Sequence, residues 1–170
     1  AWNDKCAISI LRDWNLVEVG DVIIADGHTL NFETVAPETG KAKRMTLVLF
    51  FDGRSNMPLG WEVMATENVD CISSAFRRSC MYLGKFPRVI YMDNGRAFRA
   101  KYFEGCDDFE QAGFLGLYRE LGCEIVHAWP YHGQSKTVER FFGSMHDMEV
   151  RMPSYTGRDL SLIHISEPTR

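Results

Sequence analysis

Val22-Ile23-Ile24-Ala25-Asp26 and Val89-Ile90-Tyr91-Met92-Asp93 carry the decision about the fold. Each is a short apolar run, rich in β-branched residues, that closes on a carboxylate, which is the pattern of a buried strand. Between them, Thr46–Phe51 is continuously apolar and reads as a central strand. The turn formers of Asp52–Pro58 follow, then a third strand over Leu59–Met64, so the first three strands form an antiparallel meander. Asn68 is placed to cap a helix in which Ile72, Ala75, Phe76, Ser79, Cys80 and Leu83 share one face, and Gly84 stops it. That helical crossover lets the fourth strand, within Pro87–Asp93, run parallel to the first. Asp26 and Asp93 then meet near the carboxyl edge of the sheet, where α/β folds place their ligands.

Further along, Phe114, Leu117, Tyr118 and Leu121 mark a helix ended by Gly122, and Cys123–Ala128 is a fifth strand. Pro130 and Gly133 break the chain and Ser135 can cap. Val138, Phe141, Phe142, Met145 and Met148 stripe a last helix. The expectation is an α/β domain with a five-stranded mixed sheet in the order β-β-β-α-β-α-β-α, flanked by helices. Residues 1–20 are a lead-in, 21–152 the core and 153–170 a tail.

Composition agrees with one globular domain: 170 residues, 45% apolar and 25% charged, with 4 Trp, 6 Tyr and 11 Phe to fill a core. No apolar run approaches the ~20 residues of a membrane span. The chain starts without Met or a signal peptide and reads as an excised fragment. Five cysteines without a CxxC spacing point to reduced thiols rather than a disulfide framework or structural zinc. Metal binding would therefore use oxygen ligands. The net charge of −4 argues against a dedicated nucleic-acid module. Yet residues 77–101 carry a local +6 and residues 104–124 a local −5, so the acidic average hides a basic stretch.

Three acids occupy unusual places: Asp26 and Asp93 at strand tips, and Glu139 in the first turns of the last helix, beside its apolar stripe. Adjacent strand tips lie about 5 Å apart. Two partly buried carboxylates at that distance repel, and one keeps a proton unless a cation sits between them. A third carboxylate would complete an oxygen cage suited to Mg²⁺ or Mn²⁺. The plainer reading makes the same residues turn formers and a helix-dipole partner.

The flanking residues discriminate. Ala25-Asp26-Gly27-His28, Tyr91-Met92-Asp93-Asn94-Gly95-Arg96-Ala97-Phe98 and Pro130-Tyr131-His132-Gly133-Gln134-Ser135-Lys136-Thr137-Val138-Glu139-Arg140-Phe141-Phe142 resemble the three blocks of the DDE transposase and retroviral integrase superfamily. The Asp-Gly-His form is most similar to the phage Mu transposase branch. The resemblance covers roughly residues 12–158, and it departs from the family pattern at Gly133 and Thr137. The 46-residue spacing from Asp93 to Glu139 implies an enlarged, acidic, loop-like connection over 101–112.

What the resemblance implies is an RNase H-like fold and polynucleotidyl transfer with two Mg²⁺ or Mn²⁺ ions. Asp26 would bridge both ions, and Asp93 and Glu139 would each complete one. Water would attack a phosphodiester of a transposon end, and the freed 3′-OH would attack target DNA. Gln134, Lys136 and Arg140 would contact DNA, Arg96 and Arg99 would neutralise phosphate, and His28 and Asn94 would stand beside the metal. DNA is the implied partner, with homo-oligomers assembled on it, in the cytoplasm of a bacterium or in a eukaryotic nucleus. The competing readings are a catalytically inactive DNA- or protein-binding module of the same fold and a metal-dependent nuclease. Plainer roles are a solvated helix face for Lys136 and Arg140, a turn for Asn94 and Asp52, a hydrogen-bonded structural role for His28, and packing for Trp61. Residues 161–170 have no counterpart in the resemblance and are set aside.

Overall fold

The computed structural model describes residues 14–93, 95–111, 113–127 and 136–157, apart from the side chains of Phe109, Lys136, Thr137 and Glu139. After a 3₁₀ turn at Trp14–Leu16 the elements run β1 (Val22–Val35), β2 (Ala42–Asp52), β3 (Pro58–Met64), α1 (Val69–Leu83), β4 (Val89–Met92), α2 (Lys101–Glu104), α3 (Asp107–Gln111), α4 (Leu117–Glu120), β5 (Glu124–His127) and α5 (Lys136–Glu149). The strands form one sheet in the order β3-β2-β1-β4-β5. β1–β2 and β2–β3 are antiparallel, whereas β1–β4 and β4–β5 are parallel. This is the RNase H-like arrangement: a meander on one side, two parallel strands on the other and helices on both faces.

Alternation along the strands divides the core in two. Ile23, Ala25, Val48, Phe50, Ile90 and Met92 face α1, where they meet Ile72, Ala75 and Phe76, with Phe103 from α2 and Tyr118 from α4. Ile24, Leu49, Phe51 and Tyr91 face the other way and pack with Val138, Phe141 and Phe142 of α5. α1 begins where expected, because the Asn68 side chain accepts the Cys71 N–H at 2.9 Å. It ends at Gly84, whose φ of 69° lets its N–H reach the Cys80 carbonyl.

β3 and α1 touch backbone to backbone at Gly60. A Cβ there would run into the Ala75 carbonyl oxygen and the Ser79 nitrogen. Neither neighbour is a movable side chain, so Gly60→Ala must separate strand from helix. We expect it to cost about 2–3 kcal/mol, read as a lower urea midpoint.

Four expectations need correction. Asp26 does not end its strand: β1 continues to Val35, because β2 is long enough to pair with it as far as Val35↔Ala42. The 101–112 connection is not a plain loop, since α2 and α3 form single helical turns there and Phe103 anchors α2 with no exposed surface. The helix expected from Phe114 starts only at Leu117, because Gly116 has a φ of 96°, outside the helical region, where it crosses the backbone of Gly105. Trp61, read as packing, is half exposed on β3.

At the far end of β1, residues 154–156 return to it. The Glu33 N–H donates to the Ser154 carbonyl at 3.0 Å and the Thr156 N–H to the Asn31 carbonyl at 2.8 Å. Asp52 serves the turn as expected. Its carboxylate is buried and accepts the Gly20 N–H at 2.8 Å and the Ser55 N–H at 2.6 Å. Among the described residues no helix is long and apolar enough to cross a membrane.

Candidate active site

The parallel pairing of β1 with β4 stops at Ala25↔Met92. Asp26 and Asp93 are the next residue on each strand, so they are neighbours by register. By alternation Asp26 belongs to the sheet face of Ile24, which Tyr91 shares, and Asp93 lies just past the end of β4. Val138 of α5 is wholly buried against those same two residues. Glu139 follows Val138 directly along α5, and its side chain lies outside the described residues, as do Asn94 and Gln134.

Asp26 is only partly exposed, and its Oδ1 accepts the N–H of Gly27 at 2.8 Å. Burial pushes its carboxyl up to about 6, against the Gly27 hydrogen bond. The negative charges of Asp93 and Glu67 add to the rise, and His28 offsets part of it.

Glu67 is a carboxylate beside Asp26 and Asp93 that the sequence did not bring to notice. It lies in the short connection between β3 and α1, one residue before the helix cap Asn68. Its carboxylate folds over the backbone of Gly27, where a Cβ would run into its Oε2. It also approaches Gly95, where a Cβ would lie 3.8 Å from Oε1. Burial and the charge of Asp93 raise its pKa as well. Nothing in the local sequence marks it, because Thr66-Glu67-Asn68 has the composition of any polar connection.

His28 shares the face of Asp26 and turns to structure. Its ring stacks on Phe142, centroids 4.8 Å apart, and its Nε2 donates to Glu149 Oε1 at 2.9 Å. Glu149 is fully buried at the end of α5 and also accepts from the Asn31 side-chain amide at 2.6 Å. Arg44 closes the set by donating to Asn31 Oδ1 at 2.6 Å. This cluster, also missed from sequence, fastens the helix that carries Glu139 onto β1.

Arg140 is exposed on α5 along with Gly143 and Asp147, giving the open face that a DNA-contacting residue requires. Arg96 is exposed beyond Asp93. Arg99 is exposed too, but its Nε lies 3.8 Å from Glu104, which in turn meets His127 at 3.0 Å. A phosphate would have to compete with Glu104 for Arg99.

Among the described residues no group of three His, Cys, Asp or Glu side chains is arranged to hold a metal ion. The donor chemistry nonetheless fits a hard divalent cation. Asp26 and Asp93 supply oxygen donors only, the kind such an ion takes.

No family model and no curated protein matches the chain. Among solved structures, it is similar to the catalytic core domain of BIV integrase at 18% identity and a TM-score of 0.45, covering 81% of this chain and 72% of that one. It is also similar to a chain of the simian T-cell lymphotropic virus intasome in complex with the PP2A regulatory subunit B56 gamma, at 13% identity and a TM-score of 0.47. That match covers 79% of this chain and 44% of the other.

Proposed function

We propose that this chain is the catalytic core of a DDE-type polynucleotidyl transferase that cuts and joins DNA, of the transposase kind and nearest the phage Mu branch. The observation that carries the reading is the placement of Asp26 and Asp93. They follow the last paired residues of two adjacent parallel strands, and Val138 seats the helix bearing Glu139 on the sheet face that Asp26 shares. Asp26, Asp93 and Glu139 would hold two Mg²⁺ or Mn²⁺ ions. When bound, these ions supply the positive charge that makes a hydroxyl nucleophilic at neutral pH and offsets charge on the departing oxygen.

The chain's own groups do the positioning. The Gly27 N–H orients one Asp26 oxygen. Val138, locked against Ile24 and Tyr91, sets the height of α5 over the strand tips. The exposed side of α5 around Arg140, with Lys136 and Gln134 before it and Arg96 across the site, meets the sugar-phosphate backbone. With a net charge of −4 the core alone binds DNA weakly and with steep salt dependence. Productive binding therefore comes with assembly of several copies on DNA.

The test is nicking of supercoiled plasmid by the full chain with Mn²⁺, and joining of a 3′-OH oligonucleotide to it. Both are expected of the wild type, and both are lost in Asp93→Asn. Nicking that survives in Asp93→Asn rejects the reading, whereas nicking without joining favours a nuclease of this fold.

A further inference from the structure

The stretch that leaves the tip of β4, residues 94–104, carries the cations Arg96, Arg99 and Lys101 and a single acid, Glu104. Arg96 and Lys101 are exposed, and among the described residues neither forms an ion pair. Arg99 is different. Its Nε lies 3.8 Å from Glu104 Oε1, and the same oxygen lies 3.0 Å from His127 Nε2. His127 is the register partner of Met92, the residue before Asp93, so the three side chains stand beside the strand tips. The backbone beneath them is fixed. Phe98 and Phe103 are almost wholly buried, and the Arg99 N–H donates to the Gly95 carbonyl at 3.1 Å. The Arg99 side chain, by contrast, is 55% exposed and has room to swing outward, whereas Glu104 is mostly covered. At 3.8 Å their contact is one of charge alone, and Oε1, although buried, accepts no hydrogen bond among the described residues. Such a pair yields to a better anion, since a phosphate can take two directed hydrogen bonds from a guanidinium where Glu104 takes none.

Resting on the reading of the chain as a DNA-cutting core, we propose that Glu104 is an internal substitute for a DNA phosphate. It occupies Arg99 in the free protein, and the sugar-phosphate backbone takes Arg99 from it on binding. His127 faces the same oxygen from β5 and keeps Glu104 from following. Glu104 is thus a positioning residue that acts through Arg99. It holds the guanidinium beside the strand tips and lowers the affinity of the free core for DNA.

Fluorescence anisotropy of a labelled DNA duplex titrated with the full chain, over a series of salt concentrations, tests this. Glu104→Gln should bind about three- to fivefold more tightly than wild type. Glu104→Ala should show the same gain, so misfolding of one variant leaves the other to decide. Glu38→Gln removes the same charge from the exposed turn at the far end of the β1–β2 hairpin and should gain much less. Arg99→Ala should weaken binding and reduce the salt slope by about one. In the Arg99→Ala background, Glu104→Gln should gain no more than Glu38→Gln does. A gain in Glu104→Gln no larger than that of Glu38→Gln, or one that persists undiminished without Arg99, overturns this inference and leaves the proposed function standing. A wild type that binds no duplex even at the lowest salt overturns the proposed function and this inference with it.

Discussion

Asp26→Asn is expected to lower strand cleavage on the order of 10³-fold, about 4 kcal/mol of barrier, while making the metal-free protein more stable. Both effects have one source. In the wild type, the Asp26 carboxyl is raised to about 6 by burial and by the neighbouring charges of Asp93 and Glu67. Its ordinary value is 3.8. Between those values the folded protein binds more protons than the unfolded chain, so stability falls as pH rises from about 4 to about 6 and is then flat. The penalty above pH 6 is on the order of 3 kcal/mol. Asparagine removes that penalty together with the charge a divalent ion needs. Urea midpoints at pH 5 and pH 7.5 should differ in the wild type and converge in Asp26→Asn. A variant that is both inactive and less stable would mean that Asp26 only holds the fold together.

Glu149→Ala should destabilise the protein by about 3 kcal/mol and reduce activity as well, although residue 149 lies ten positions along the helix from Glu139. Glu149 is fully buried and accepts hydrogen bonds from His28, the Asn31 backbone and the Asn31 side chain. Truncation leaves those donors without an acceptor inside the protein and loosens the stack of His28 on Phe142 that seats α5. Burial opposes ionisation of Glu149, but the hydrogen bonds from Asn31 and His28 outweigh it and hold its pKa below 4.5. Its contribution is therefore fully present above its unfolded value and is lost as pH falls through the lower folded value. Below about pH 4.5 wild-type stability should drop while Glu149→Gln stays nearly level, a trend opposite in sign to that of Asp26. Equal acid sensitivity in Glu149→Gln and wild type would place the acid-labile group elsewhere.

The paired segments of β1 and β4 were legible because apolar runs that close on an acid are rare, and the parallel crossover follows from a helix of the right length between β3 and β4. The helix over Val69–Leu83 was legible from its cap, its stripe and its terminal glycine, all local signals. The lengths of β1 and β2 were not, because past Asp26 the hairpin runs through polar residues such as Asn31, Glu33 and Thr34. Only pairing with the opposite strand makes those residues extended. α2 and α3 were hidden for a related reason: Phe103 makes a helix worthwhile there by entering a core that exists only after the sheet has formed.

By itself the sequence determined the order of the five strands, the crossover helix, the two apolar sheet faces and the neighbouring positions of Asp26 and Asp93, because periodicity and capping act over a few residues. Only the tertiary structure decided that Glu67 leans over Gly27 and that Glu149 locks onto His28 and Asn31. Those partners are tens of residues apart in the chain, and the free energy of a charge placed beside another charge, a ring or a buried amide depends on distance in space, which no local pattern of residues encodes.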